Sequence, residues 1–162
     1  MGNKLAIFGG KKAFNHEVGR YNTMGLEEVL AAQDVVKSGV LSQYLGEWDS
    51  DFYGGPKVKE FERDWSKYFN IKHSICVNSC TSGLMVALGA IGLEPGDEVI
   101  VRPWTMSATA TSILVWNAIP VFADIESSTF NLDPASIEKN ITKDIKAIVV
   151  TNIFGHAAQL NE

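Results

Sequence analysis

No block of lysines and arginines, no glycine fingerprint and no long apolar run occurs in this sequence, and each absence removes a class of function. Fourteen lysines and arginines stand against 19 acidic residues, a net charge of −5, which argues against a nucleic-acid surface. No stretch approaches the ~20 apolar residues that span a bilayer. There is no G-x-G-x-x-G and no G-x4-G-K-[ST], so neither a dinucleotide fold nor a P-loop is indicated. Cysteine is scarce: Cys76 and Cys80 alone cannot build a disulfide framework, and their C-x3-C spacing without a second pair is poor for zinc. They read as small packing residues in a strand and a turn. The opening Met1-Gly2-Asn3-Lys4 has no apolar leader, and Ala6 stands where a myristoylation signal has Ser or Thr. These features predict a cytoplasmic protein with no membrane and no nucleic-acid partner, and no metal site.

What is present suits a globular α/β chain. With 162 residues, 46% hydrophobic and 20% charged, the sequence supports one real core and argues against disorder. Residues 1–24 lack periodicity and read as an arm. Leu26, Val29, Leu30, Val35 and Val36 predict a helix over 26–36 that ends at Gly39. A loop over 40–55 follows, long enough to suggest a functional role. Pro56 begins a second helix at the position proline favours. Its stripe of Val58, Phe61, Trp65, Tyr68 and Phe69 is expected to be core, because spacing of three and four serves burial. Residues 25–72 therefore read as helices and a loop.

From residue 73 strands and helices alternate. Strands are expected at 73–77, 98–101, 120–123 and 147–151, with helices at 81–91, 106–116 and 134–140, the last capped by Asp133. Such alternation implies a mainly parallel sheet flanked by helices. In these sheets ligands bind beyond the carboxyl ends of the strands, so loops 78–81, 102–105 and 152–156 should meet at one edge. The first of them, Asn78-Ser79-Cys80-Thr81 running into Ser82-Gly83, is strand, small-residue turn, helix. That geometry gathers free N–H groups and the positive end of a helix dipole around an anion. Trp104 and Met106 in the second loop could lie against a flat ring, and Asn152 and His156 stand in the third. His16 and His73 hold no comparable position.

Three ordered segments carry a resemblance: residues 78–84 (NSCTSGL), 94–100 (EPGDEVI) and 104–110 (WTMSATA). With them go 39–42 (GVLS), 54–62 (GGPKVKEFE), 119–125 (IPVFADI), 130–134 (FNLDP) and 154–156 (FGH). Together they resemble the DegT/DnrJ/EryC1/StrS aminotransferases, sugar aminotransferases that use pyridoxal 5′-phosphate (PLP). The resemblance implies the fold type I architecture of PLP-dependent transferases, with residues 73–162 as the first part of the PLP-binding large domain. It implies a homodimer, a nucleotide-linked keto-sugar as acceptor and glutamate as donor. Thr81 and Ser82 fall at positions that hold the PLP phosphate. Met106 stands where the family commonly stacks an aromatic residue on the pyridine ring, so Trp104 is an alternative ring contact. His156 falls near the substrate, and loop 41–55 near the substrate or the dimer partner.

The family's Schiff-base lysine, its ring-nitrogen aspartate and the following glutamine are not among the matched positions. Lys139, Lys143 and Lys146 do not occupy the lysine's place, so this polypeptide as given is not expected to transaminate, and no catalytic residue is assigned. The first reading is the N-terminal part of such an enzyme; the alternative is a non-catalytic binding module that keeps the phosphate cup. An unrelated nucleotide-binding domain is disfavoured by the missing glycine patterns. A sheet lacking its later strands is expected to leave an open apolar edge that promotes aggregation.

Overall fold

A computed structural model describes residues 4–17, 19–41, 43–44 and 46–161. Met1, Gly2, Asn3 and Val18 of the arm, Ser42 and Leu45 of the 40–55 loop, and Glu162 lie outside the described residues. The chain divides into two compact units, residues 1–74 and 75–162.

In the first unit, α1 (Leu26–Ser38) and α2 (Pro56–Phe69) form where the periodicity predicts. At the start of α1 the Gly25 N–H donates to the Glu28 carboxylate at 2.7 Å, and Gly39 ends the helix in the left-handed region at φ 72°. Pro56 occupies the first turn of α2, and Asn70 closes it at φ 52°. In the loop between the helices, the Gly54 N–H donates to the Gln43 carbonyl at 2.9 Å. The aromatic stripe of α2 departs from expectation, since no α2 residue is buried and Trp65 is 45% exposed. Its rings cover one another instead, Phe61 on Trp65 at 5.5 Å and Trp65 on Phe69 at 4.5 Å between centroids. Periodicity fixes which side chains share a face; burial also needs a surface opposite that face.

The second unit runs α3 (Cys80–Ala90), β1 (Glu98–Val101), α4 (Ser107–Leu114), β2 (Ile119–Phe122), α5 (Pro134–Asn140), β3 (Ile145–Val149). The three strands form one parallel sheet in the order β2-β1-β3. The crossover from β1 to β2 moves one way across the sheet and that from β2 to β3 moves back. Right-handed crossovers in opposite directions put their helices on opposite faces, and the core follows that rule. On one face Val99 and Val101 pack with Leu88 of α3, Ile113 of α4, Leu93 and Ala118. On the other, Ile100 packs with Ala123, Leu132 and Ile137 of α5. β1 is thus buried on both faces, as its continuous apolar sequence requires.

The expected strand over 73–77 is not formed. Apolar residues make a strand only when their N–H and C=O groups find a ladder, and none of the described strands offers one here; Ile75 remains 78% exposed. β2 and β3 begin one and two residues earlier than expected. Backbone bonds at the sheet's amino end set this register: Ile119 N–H to Asp97 O at 2.8 Å and Glu98 N–H to Asp144 O at 2.9 Å. Asp133 caps α5 as predicted, its carboxylate accepting from the Ala135 N–H at 3.0 Å, with Pro134 next to it in the first turn.

Where α3 meets α4, the Trp116 indole N–H donates to the Met85 carbonyl at 3.0 Å, and the indole ring lies over Gly89. A Cβ on Gly89 would stand 2.3 Å from that ring, so G89A must displace the indole. The expected cost is about 1–3 kcal/mol, read from the urea midpoint of the variant. At α1, hydrogen bonds from the Gly25 backbone and then from Glu28's own backbone hold the Glu28 carboxyl below the usual carboxylate range. A depressed folded value means that its contribution is complete above the ordinary glutamate range and fades as pH falls through the lower folded value. E28Q should remove this acid-side dependence from the amide exchange of Gly25.

Candidate functional site

α4 follows the carboxyl end of β1, and α3 leads through residues 91–97 to the amino end of β1. The amino ends of both helices therefore lie towards the carboxyl edge of the sheet, together with the loops that leave β1, β2 and β3. At α3 the helix start is built by Ser79, whose backbone is extended (φ −163°, ψ 160°). Its hydroxyl accepts from the Ser82 N–H at 3.1 Å and donates to Ser82 Oγ at 3.1 Å. The Gly83 N–H bonds the Ser79 carbonyl at 3.0 Å. Cys80 and Thr81 supply the first-turn N–H groups that a helix leaves without an internal acceptor. Thr81 and Ser82 are half-buried, and Cys80 is exposed. The arrangement is a polar cup with the dipole's positive end at its floor, suited to an anion.

The loop after β1 carries Trp104 and Met106. Trp104 is 52% exposed and lies against Phe130, their centroids 5.1 Å apart with planes tilted by 56°. Met106 precedes the first residue of α4 and is 77% exposed. Thr105, between them, shares a hydroxyl contact with Thr109 at 2.8 Å and another with Thr151, beyond β3, at 3.4 Å. That pair joins the second loop to the third. Pro103, Trp104, Thr105 and Ile125 line a shallow cavity of about 380 Å³ here. His156 is exposed at the end of a short 3-10 turn (Ile153–Gly155). Its carbonyl, rather than its imidazole, makes the described contact, accepting from Asn131 Nδ2 at 3.4 Å. Asn152 Oδ1 accepts from the Ala158 N–H at 3.0 Å and so shapes the same loop.

Beneath these loops sit three residues that the sequence places in segments 102–105 and 130–134 without marking a role for them. Arg102 is fully buried, and its Nη1 donates to the Phe130 carbonyl. Burial pushes its guanidinium below the ordinary value. Phe130 has φ 61°, a left-handed backbone on a bulky residue. Asn131, also buried, donates to the carbonyls of both His156 and Ala157. The sequence did hold a signal for Arg102: a charge directly after Val99-Ile100-Val101, with alternation assigning it to the Ile100 side. Among the described residues no cluster of His, Cys, Asp and Glu could hold a metal, and no helix is long and apolar enough to cross a membrane.

Loss of the Ser79 cap is expected to fray the first turn of α3. S79A should cost about 1 kcal/mol and speed exchange of the Ser82 amide, while S79D, an equally good cap, should preserve both.

Comparison with known proteins gives this geometry a context. The profile of the DegT/DnrJ/EryC1/StrS aminotransferase family matches residues 41–162. Spore coat polysaccharide biosynthesis protein SpsC of Bacillus subtilis (strain 168) is 39% identical over 138 residues, covering 85% of this chain and 33% of that protein. GDP-perosamine synthase of Caulobacter vibrioides is 40% identical over 107 residues, 66% of this chain and 29% of the relative. The crystal structure of NtdA from Bacillus subtilis, solved with bound cofactor PMP, superposes with a TM-score of 0.75 at 28% identity. It covers 91% of this chain, which spans 34% of that one. The chain thus spans about a third of the length of the relatives it matches. Its α/β architecture is that of the PLP-dependent aminotransferases. By the profile match over three quarters of its length, this chain belongs to the DegT/DnrJ/EryC1/StrS aminotransferase family.

Proposed function

We propose that this chain carries the cofactor-phosphate grip of a PLP-dependent aminotransferase that moves an amino group from glutamate to a nucleotide-linked keto-sugar. In this reading residues 1–24 are an arm, 25–72 a helical segment, and 73–162 the first part of the PLP-binding large domain of a cytoplasmic homodimer. The observation that carries the proposal is the start of α3, where the Ser79 cap leaves the Cys80 and Thr81 amides without an internal acceptor, next to the hydroxyl-bearing Thr81 and Ser82. A phosphate monoester is the chemistry such a cup suits best. The GDP-perosamine synthase relative supports a nucleotide-linked sugar, and SpsC supports a role in surface polysaccharide synthesis.

The chemistry at the start of α3 suits the phosphate of PLP, and the exposed Trp104 and Met106 leave the carboxyl end of the neighbouring β1. Thr81 and Ser82 would hold the phosphate, Trp104 and Met106 would limit the ring, and His156 would stand on the substrate side. Bound PLP supplies an electron sink that stabilises negative charge at the reacting carbon. Trp104 is the better ring wall, because Phe130 already fixes its plane; Met106 offers a softer contact. The three lysines of residues 75–162 stand apart from the cup. Lys139 ends α5, Lys143 lies in the turn before β3, and Lys146 is near the start of β3, all towards the amino edge of the sheet and away from the cup.

Titration of the chain with PLP should quench tryptophan fluorescence and saturate, without an absorbance band of lysine-linked cofactor. S79D keeps the helix cap but sets a carboxylate beside the phosphate, and should weaken binding by about tenfold or more. Equal affinity in S79D, or stoichiometric attachment of PLP to one lysine after borohydride, would overturn this reading.

A further inference from the structure

Arg102 stands apart from every other charged residue described. Lys57 pairs with Glu60 and Arg63 with Asp64 on exposed ground, whereas the Arg102 side chain is wholly buried. A buried guanidinium keeps its charge and loses its water, so it persists only where its N–H groups achieve something specific. One of them does, since Nη1 bonds the carbonyl of Phe130. Nε and Nη2, with Asn131 Oδ1, are the buried side-chain polar atoms lacking a partner among the described residues.

Arg102 bonds a carbonyl of a turn that also carries hydrogen bonds of its own, among them Asn131 N–H to Thr129 Oγ1 at 3.1 Å. Residues 126–131 close through Phe130 N–H to Glu126 O and Glu126 N–H to Asn131 O, each at 2.9 Å. The ends of that turn meet in an antiparallel bridge between Ile125 and Leu132. Within it Phe130 takes a positive φ that a residue of its bulk adopts only when its surroundings impose it. Two functional loops hang on this turn. The Phe130 ring lies against Trp104, and the Asn131 amide holds the carbonyls of His156 and Ala157.

The geometry points to Arg102 as a positioning residue: by fixing the Phe130 carbonyl it sets Trp104 and the 156–157 backbone, and so shapes the ligand edge from beneath. Fully buried, it offers no surface for a ligand to touch. Its effect on cofactor affinity rests on the PLP reading above, whereas its effect on the loops does not.

Hydrogen exchange of the whole chain separates these effects. In R102M the amides of residues 126–132 and 156–158 should exchange faster, on the order of tenfold or more, while those of β1 and α4 keep their rates. R102K should recover much of the protection, because an ammonium N–H can still reach the Phe130 carbonyl. PLP affinity should fall in the same order, wild type, R102K, R102M. Unchanged exchange at 126–132 in R102M would overturn the proposal. So would equal acceleration throughout residues 75–162, or R102K behaving no better than R102M. PLP affinity in R102M equal to that of wild type, despite faster loop exchange, would overturn the role at the ligand edge. Should R102M give no folded protein, R102Q carries the same comparison under the same criteria. A wild-type chain that binds no PLP defeats the cofactor reading alone and leaves the exchange result to judge Arg102.

Discussion

β1 pairs in parallel with a neighbour on each side and packs against helices on both faces, and the ligand edge depends on that double enclosure. A strand with no face or edge in water can tolerate little displacement, because any shift opens packing on two sides at once. The residues that leave its carboxyl end therefore start from a fixed point. Arg102 is the first of them, Trp104 and Thr105 follow, and α4 starts five residues beyond Arg102. The loops after β2 and β3 have less support of their own and are tied back to this point, one through the Phe130 carbonyl and the other through Thr151 and the Asn131 amide.

The parts of this arrangement that local chemistry dictates were legible in the sequence. Pro56 and the Asp133-Pro134 pair mark helix starts because the first turn needs no N–H from proline and welcomes a carboxylate acceptor. The uninterrupted Val99-Ile100-Val101 run could be buried on both faces only as a central parallel strand. The Ser79 cup followed from small polar residues before an apolar helix. What stayed hidden depends on partners distant in sequence. Residues 73–77 have the composition of a strand without a ladder, and the α2 stripe has the periodicity of a core without a covering surface. Phe130's positive φ was hidden for the same reason, since no local rule asks phenylalanine for it; a carbonyl held by an arginine 28 residues earlier does.

The hidden and legible parts divide the edge by function. Ser79, Thr81 and Ser82 form a cup whose chemistry is local: backbone amides and hydroxyls in one helical turn, with no charged side chain required. In the proposed reading such a site would select a phosphate and little else. In the same reading, selectivity for the rest of the ligand would come from walls that hold a plane and a distance, and Trp104, Phe130 and the 156–157 backbone, drawn from three loops, are joined in a way that suits them. An exposed loop holds a plane poorly unless something beneath it is stiff. Arg102 supplies that stiffness as a buried cation on one carbonyl, where an apolar side chain would have packed with less desolvation cost but could not have dictated the backbone's direction. A charge retained at that cost, with no ion pair to compensate it among the described residues, is best understood as the price of orientation.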